Sequence, residues 1–423
     1  MTTTSPRCSA ASPKQPRESL DPGGALGGEQ QRPALLIGPL LNLQRLLLPR
    51  LGRSVIGGAP EGYDALLLGR LAAALPAVRH AELLHVVRDD ARMAQLADGL
   101  RFFAPSVEVL TFPAWDCLPY DRVSPHRDLV SKRIDTLTQL LAPRPDARPR
   151  LVIATVAAIL QRVPPRAAYG EAILAISRGQ ALSPAALIEF VAHNGYIRAE
   201  TVRESGEFAV RGGIIDLFPP GASAPLRVDF FGDEIEESRS FDPMSQRSAG
   251  RLDGFVLKPV SEVTLDPASI NRFRTGYRER FGAVGEDPLY EAISAGRLYA
   301  GMEHWLPLFF PGLETLFDYL PDSAVTIDHQ GEEAASARFE LIADFYRART
   351  DLQRAEAASG AAYRPLPPEL LYLVPDEWSG RVEGRAGGVL SPFGAPEGGR
   401  AVDGGGRPGR TFGPERAQPG TSL

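Results

Sequence analysis

The sequence predicts an α/β protein in which a parallel sheet covered by helices on both faces is interrupted by a compact antiparallel sheet. Three observations carry that expectation. Short apolar runs alternate with helical patterns from residue 33 to about 165. The stretch from Gly195 to Phe231 then alternates with the two-residue period of half-buried strands. Between about 256 and 350, strand and helix signals mix again.

Residues 1–32 are rich in Ser, Thr, Pro, Gly and charge, and carry too little apolar surface to offset the entropy of ordering, so this tail is read as disordered. Residues 53–58 read as a strand entering a glycine turn. Residues 64–75 read as a helix with Leu66, Leu67, Leu71 and Leu75 on one broad face. Strands are expected at 83–87, 107–112 and 151–155. Asp89 or Asp90 caps a helix running to Phe103, and another helix spans 128–141. Short apolar strands separated by helices mark a parallel sheet buried on both faces.

A helix near 184–194 leads into Gly195. In the strands that follow, Phe208 and Val210 flank Ala209, while Leu226, Val228 and Phe230 point away from Arg227 and Asp229. Gly232-Asp233 is a two-residue hairpin signal, because glycine tolerates a positive φ at the first turn position. The exposed face is expected to carry Arg198, Arg211, Arg227, Glu207 and Asp229. Beyond this sheet, 263–265 resembles a strand, Asp266 caps a helix to Phe281, 287–295 is helical, 324–327 is a strand and 336–355 a helix. After about 360 the chain turns Pro-rich and then Gly-rich, the composition of a loosely ordered tail.

At 423 residues, two to four domains are expected. A net charge of −6 argues against a chain whose main business is gripping phosphate backbones. Cys8 and Cys117 are the two cysteines, and six scattered histidines form no cluster with acids, so neither a disulfide framework nor a metal site is expected. With no apolar run of about 18 residues and no signal-peptide order at the N-terminus, no membrane partner and a cytoplasmic location are expected.

The strand–turn–helix at 55–75 is where a phosphate loop would sit, but it reads Gly57-Gly58-Ala59-Pro60-Glu61-Gly62-Tyr63-Asp64. The Gly57/Gly62 spacing is kept. Tyr63 stands where the phosphate-gripping lysine belongs, and Asp64 where the magnesium-binding hydroxyl belongs. This degenerate loop is not expected to bind ATP, and no catalytic residue is assigned. The carboxylates Asp233/Glu234 and Glu236/Glu237 read as a solvated turn. Between Phe112 and Arg133, Trp115, Tyr120, Arg122, His126, Arg127, Lys132 and Arg133 interleave rings with cations. Base stacking and core packing beneath a solvated basic helix face both fit that pattern. Arg198 and Arg211 near Phe208 and Phe218 make an Arg–aromatic combination of the kind enriched at protein–protein contacts, although exposed arginines on a strand fit equally.

Several long motifs, in order, resemble the bacterial transcription-repair coupling factor family (Mfd). They are Phe112-Pro113-Ala114-Trp115-Asp116-Cys117-Leu118-Pro119-Tyr120-Asp121 with Ser124-Pro125-His126, Gly206 through Gly213, Asp216-Leu217-Phe218-Pro219, Asp229 through Ile235, and Gly301 through Phe310. The resemblance covers about 33–375 and is to that family's N-terminal, UvrB-like region. It implies a degenerate nucleotide-binding-like domain in two segments, 33–165 and 256–358, with a UvrA-binding domain inserted at 166–255. The tails are 1–32 and 359–423, the latter expected to be linker and the start of a following region, largely disordered.

The resemblance further implies UvrA as partner, docked through Arg198, Glu207, Phe208, Arg211 and Phe218; the family's basic counterpart at Ala209 is not basic here. It implies recruitment of UvrA to RNA polymerase stalled at DNA lesions in nucleotide excision repair. ATP, magnesium, duplex DNA and RNA polymerase would be engaged by motor and polymerase-binding domains, whose motifs do not occur in this sequence. An N-terminal portion without a cofactor of its own is therefore the expectation. In the intact protein the UvrA-binding face is also open to masking by a distant domain. The alternative is a UvrB-type damaged-DNA-binding ATPase fragment. Against it stand the degenerate loop and a segment between Tyr120 and Arg133 too short for UvrB's aromatic hairpin.

Overall fold

The computed structural model describes residues 54–75, 82–144, 148–170, 172–282, 286–356, 363–395 and 400–407. The expected N-terminal tail, residues 33–53 and the last residues of the C-terminal tail lie outside the described residues.

The first segment supplies strands β1 (Ser54–Gly57), β2 (Leu83–Val87), β3 (Glu108–Phe112) and β4 (Arg150–Thr155). Between them run helices α1 (Tyr63–Ala74), α2 (Asp90–Phe103) and α3 (Arg127–Leu141), with the short α4 (Val156–Ile159) after β4. Asp89 caps α2, its side chain accepting from the N–H of Arg92. The second segment returns with β13 (Ala324–Ile327), β14 (Gly387–Leu390) and β15 (Ala401–Asp403).

All seven strands pair in parallel, in the order β15-β1-β14-β13-β2-β4-β3. Because β14 and β13 lie between β1 and β2, neither segment closes the sheet alone. Apolar side chains fill both faces: Leu67, Leu68, Leu71, Leu96 and Leu100 on one, Val130, Ile134, Leu137, Phe317 and Trp378 on the other.

Two expectations give way. Residues 263–265 form no strand, and Val263 packs instead into an aromatic cluster with Trp115, Phe273 and Trp305. Residues 363–395 and 400–407, expected to be linker, contribute helices and β14 and β15. The strand is hidden in sequence because it needs glycines. A Cβ on Gly387 would meet the Val325 carbonyl oxygen at 2.1 Å, and one on Gly388 would meet the Ser54 oxygen at 2.9 Å. Glycines demanded by close strand approach look, in a one-dimensional reading, like a flexible tail.

The insertion is rooted by β5 (Leu174–Ser177) and β12 (Gly254–Leu257), its entering and leaving strands, which pair antiparallel from Leu174↔Leu257 to Ser177↔Gly254. Between them, α5 (Pro184–His193) covers a six-stranded sheet. Its strands are β6 (Ile197–Arg198), β7 (Glu207–Arg211), β8 (Ile214–Leu217), β9 (Leu226–Phe231), β10 (Glu234–Phe241) and β11 (Ser248–Leu252). They pair antiparallel except at β6–β7. Phe208, Ile215, Leu217, Leu226, Val228 and Ile235 pack against Leu187 and Val191 of α5.

At the seam with the parallel-sheet scaffold, Lys258 pairs with Asp135, and the hydroxyls of Ser131 and Ser205 are 3.0 Å apart. Deeper lies a buried knot. Arg133 of α3 donates from Nε to Glu262 Oε1 at 2.6 Å, with side chains 0% and 1% exposed. Trp115 Nε1 donates to the other carboxylate oxygen at 3.2 Å, and Arg133 Nη1 donates to the Pro113 carbonyl at 2.9 Å.

Replacing Arg133 by Met strands the Glu262 carboxylate in the core and is expected to lower the unfolding free energy by about 3–5 kcal/mol in urea titrations. A loss within the ~0.5 kcal/mol of an ordinary surface substitution would remove the knot from its structural role. Burial also sets an acid limit. His85, enclosed between β13 and β4, is held neutral down to about pH 4, whereas its ordinary pKa is 6.5. Between those values the unfolded chain binds the proton and the folded one does not, so stability falls as pH drops through that window, by up to about 3 kcal/mol for this ring. Thermal melts between pH 7 and 4 should show a shallower acid slope for His85→Leu than for wild type; identical slopes would refute the assignment.

Candidate functional site

In open α/β sheets ligands bind at the carboxyl ends of the strands, and here that end holds residues 57–64. The turn stands where a phosphate loop would, between β1 and α1, but its donors are spent. Gly58 N donates to the Phe393 carbonyl at 2.6 Å and Ala59 N to the Ser391 carbonyl at 2.8 Å. Gly404 N and Gly406 N donate back to Gly57 and Gly58 at 2.7 and 2.9 Å. The Tyr63 hydroxyl, in the lysine position, donates to the Gly404 carbonyl at 2.9 Å. A Cβ on Gly406 would lie 2.2 Å from the Gly58 oxygen, so no room separates loop and strap. The backbone of 391–395 and 403–407 thus fills the cradle.

The charges are equally committed. Asp64 Oδ1 accepts from the N–H groups of Gly62 and Ala65 at 3.0 and 2.8 Å, and its Oδ2 pairs with Arg92. Arg92 also donates to Asp328, at the end of β13, at 3.0 Å. Arg88 bonds Glu61 at 2.8 Å and holds that carboxyl below its ordinary range. A guanidinium therefore sits between Asp64 and Asp328, where two carboxylates alone would attract a cation. Among the described residues, no group of three or more His, Cys, Asp or Glu is placed to hold a metal ion.

Trp115 and Tyr120, read from sequence as base stackers or core, are 6% and 1% exposed and belong to the core. Cys117 Sγ lies 3.9 Å from His304 Nε2, but burial pushes the thiol up to about 12 and the imidazole down to about 4. Both stay neutral near pH 7, so this is not an activated nucleophile pair.

On the insertion, the face away from α5 is a ladder of crossed charges. Arg227 donates to Asp216 at 2.7 and 2.8 Å in a two-pronged contact, and its guanidinium lies 4.8 Å from the Phe241 ring centroid. Arg239 pairs with Asp229 and Glu237, and Arg251 with Glu237. Arg227 and Arg239 stand directly opposite each other, so each is neutralised by an acid on a neighbouring strand. Arg227 and Asp229, expected on an open face, are half-buried in this ladder.

The five residues expected at a docking surface are placed unequally. Arg198 and Arg211 are exposed. Glu207 is half-buried, its carboxylate accepting from the N–H groups of Arg203 and Glu204 at 2.8 and 3.0 Å, which pins the loop before β7. Phe218 is half-buried beside Val202, Ala209 and Phe241. Phe208 is 4% exposed and faces α5, so it supports the surface from inside rather than forming it. By register, Arg198 shares the side of Phe208, whereas Arg211 falls on the side of Glu207 and Ala209. The two arginines thus bracket the β6–β7 edge of the sheet. Arg211 Nη2 also clips the connecting loop, donating to the Glu200 carbonyl at 2.9 Å. The sequence reading missed Arg203, exposed in that loop, and Phe231, 79% exposed at the β9–β10 turn. The signal for Phe231 was its place just past the alternating run, against the Gly232 turn.

A family model, the UvrB interaction domain, matches residues 174–262, the sheet and its two-stranded root. Among curated proteins, transcription-repair-coupling factors align over much more of the chain. That of Haemophilus influenzae is 34% identical over 332 residues, 78% of this chain, and that of Escherichia coli is 37% identical over 323 residues, 74% of this chain. The chain matches the N-terminal region of these coupling factors. It spans about a quarter of their length, 28% and 27% respectively. A coupling factor from Rickettsia bellii is 33% identical over 288 residues, 68% of this chain and 25% of its own. No helix among the described residues is long and apolar enough to cross a membrane.

Restoring the missing side chains should not restore nucleotide binding. The double substitution Tyr63→Lys and Asp64→Thr puts the gripping lysine and hydroxyl in place, yet the strap still holds the loop's N–H groups. Equilibrium dialysis with ATP and magnesium is expected to give no saturable binding for wild type or variant. ATP bound by either would show that the strap yields.

Proposed function

We propose that this chain is an adaptor that presents the inserted sheet to UvrA, and so recruits excision-repair machinery to RNA polymerase stalled at DNA lesions. The observation that carries the reading is the UvrB interaction domain match over 174–262, on a sheet whose β6–β7 edge displays Arg198, Arg203 and Arg211. Exposed arginines beside half-buried aromatic side chains such as Phe218 suit a protein–protein contact. The filled loop favours a scaffold over a nucleotide-using enzyme, and leaves the alternative of a UvrB-type ATPase fragment without a phosphate site. In this reading polymerase engagement, duplex DNA, ATP and magnesium belong to the remaining length of the coupling factors. The setting is the cytoplasm.

Titration of labelled chain with UvrA tests it. Arg211→Glu and Arg198→Glu are expected to weaken binding about tenfold or more, since reversing a charge at a contact edge replaces attraction by repulsion. Equal affinity across wild type and both variants would discard the edge as the docking site, and absence of binding by wild type would discard the adaptor reading.

A further inference from the structure

Away from both the phosphate loop and the inserted sheet, an aromatic-walled cavity of about 210 Å³ opens beside the Phe112–Arg133 stretch. Its walls come from helix α6 (Pro267–Phe281), helix α7 (Pro288–Ser294) and residues 299–305 and 363–364. Tyr277, Trp305 and Tyr363 are the flat surfaces, with the last two rings 4.7 Å apart between centroids. Arg122 and Arg364 supply the charge.

Arg364 is ion-paired with Asp287, but neither guanidinium is fully hydrogen-bonded among the described residues. Arg364 Nη1 is buried and meets no acceptor among the described residues. The Tyr363 hydroxyl, also buried and also on the wall, meets none either. Arg364 Nε is 3.8 Å from Asp287, beyond hydrogen-bond reach. Arg122 lies 6.0 Å over the Tyr363 ring and forms no side-chain hydrogen bond or ion pair among the described residues. The one acid on the wall is already committed. Asp287 Oδ2 accepts from the Tyr277 hydroxyl at 2.6 Å, and Oδ1 accepts from the N–H groups of Leu289 and Tyr290 at 3.1 and 3.2 Å.

Buried donors without acceptors cost free energy, more so when charged. An oxyanion at Arg364 would relieve that cost, with the exposed Arg122 adding attraction, because the guanidinium fork matches carboxylate and phosphate alike. The backbone of Arg122 lies close against Gly301: a Cβ there would be 2.9 Å from the Arg122 carbonyl carbon. The cavity is smaller than the roughly 300–1,000 Å³ of drug-sized pockets, which limits the guest to one ring and its charged group.

We propose that this cavity binds an oxyanion carried on a flat aromatic ring, the chemistry shared by aromatic carboxylates and aryl phosphates. The rings of Tyr277, Trp305 and Tyr363 hold the guest's plane while Arg122 and Arg364 take its charge.

The Trp305 indole N–H, which donates to the Arg364 carbonyl at 3.1 Å, reports on the site. Its NMR resonance is one of three tryptophan signals in the whole chain and is assigned with Trp305→Phe. Benzoate, phenyl phosphate, inorganic phosphate and neutral benzyl alcohol are titrated in turn. A saturable shift is expected at millimolar or lower concentration for at least one of the first two, weakened about tenfold by Arg122→Ala, a surface substitution that leaves the core intact. Arg364→Met should abolish it; if that variant fails to fold, Arg122→Ala decides. Saturation by benzoate alone assigns a carboxylate guest, and saturation by phenyl phosphate alone assigns a phosphate. The proposal is overturned if neither ring-bearing anion saturates, if Arg122→Ala binds as wild type does, or if benzyl alcohol or inorganic phosphate binds as tightly as the ring-bearing anions.

Discussion

The arrangement of this chain depends on the buried contact between Arg133 and Glu262. Arg133 belongs to the helix that follows the Phe112–Asp121 motif, and Glu262 lies a few residues after the insertion's last strand. Their ion pair, with Trp115 on the second carboxylate oxygen, ties the first chain segment to the point where the second begins. Two fully desolvated charges contribute little net stability relative to an apolar pair. What they supply is uniqueness, since either charge left alone in the core would be costly. The insertion therefore leaves the scaffold at one defined place, reinforced at the surface by Lys258–Asp135.

A second constraint is that the phosphate loop has become a seam. Its N–H groups, which would cradle a triphosphate, bond the carbonyls of Ser391 and Phe393, and Tyr63 fastens the strap at Gly404. Beneath it the Asp64–Arg92–Asp328 network replaces cofactor charge with protein charge. The crevice at the strand ends is thus part of the scaffold's framework, while the inserted sheet keeps an exposed arginine edge.

Much of the fold was legible because burial leaves periodic traces. Leu83 to Val87 and Arg150 to Thr155 are buried throughout, as runs of apolar residues in a parallel sheet must be. Leu226, Val228 and Phe230 alternate as strands with one covered face do. The site was legible only in part. Arg198 and Arg211 are exposed as expected, but on opposite sides of the sheet and not on one face, because parity within a strand does not fix the register between β6 and β7.

By itself, the sequence determined most element types, the insertion of an antiparallel sheet into a parallel one, and a tyrosine at position 63 where a phosphate loop carries lysine. These follow from side-chain period and residue chemistry, which are local. Only the tertiary structure decided that Gly387 and Gly388 form a central strand, that 391–395 and 403–407 close the phosphate loop, and that Arg122 and Arg364 meet around one aromatic cavity. Each of those depends on which distant backbones approach within a few ångströms, and no period along the chain encodes that distance.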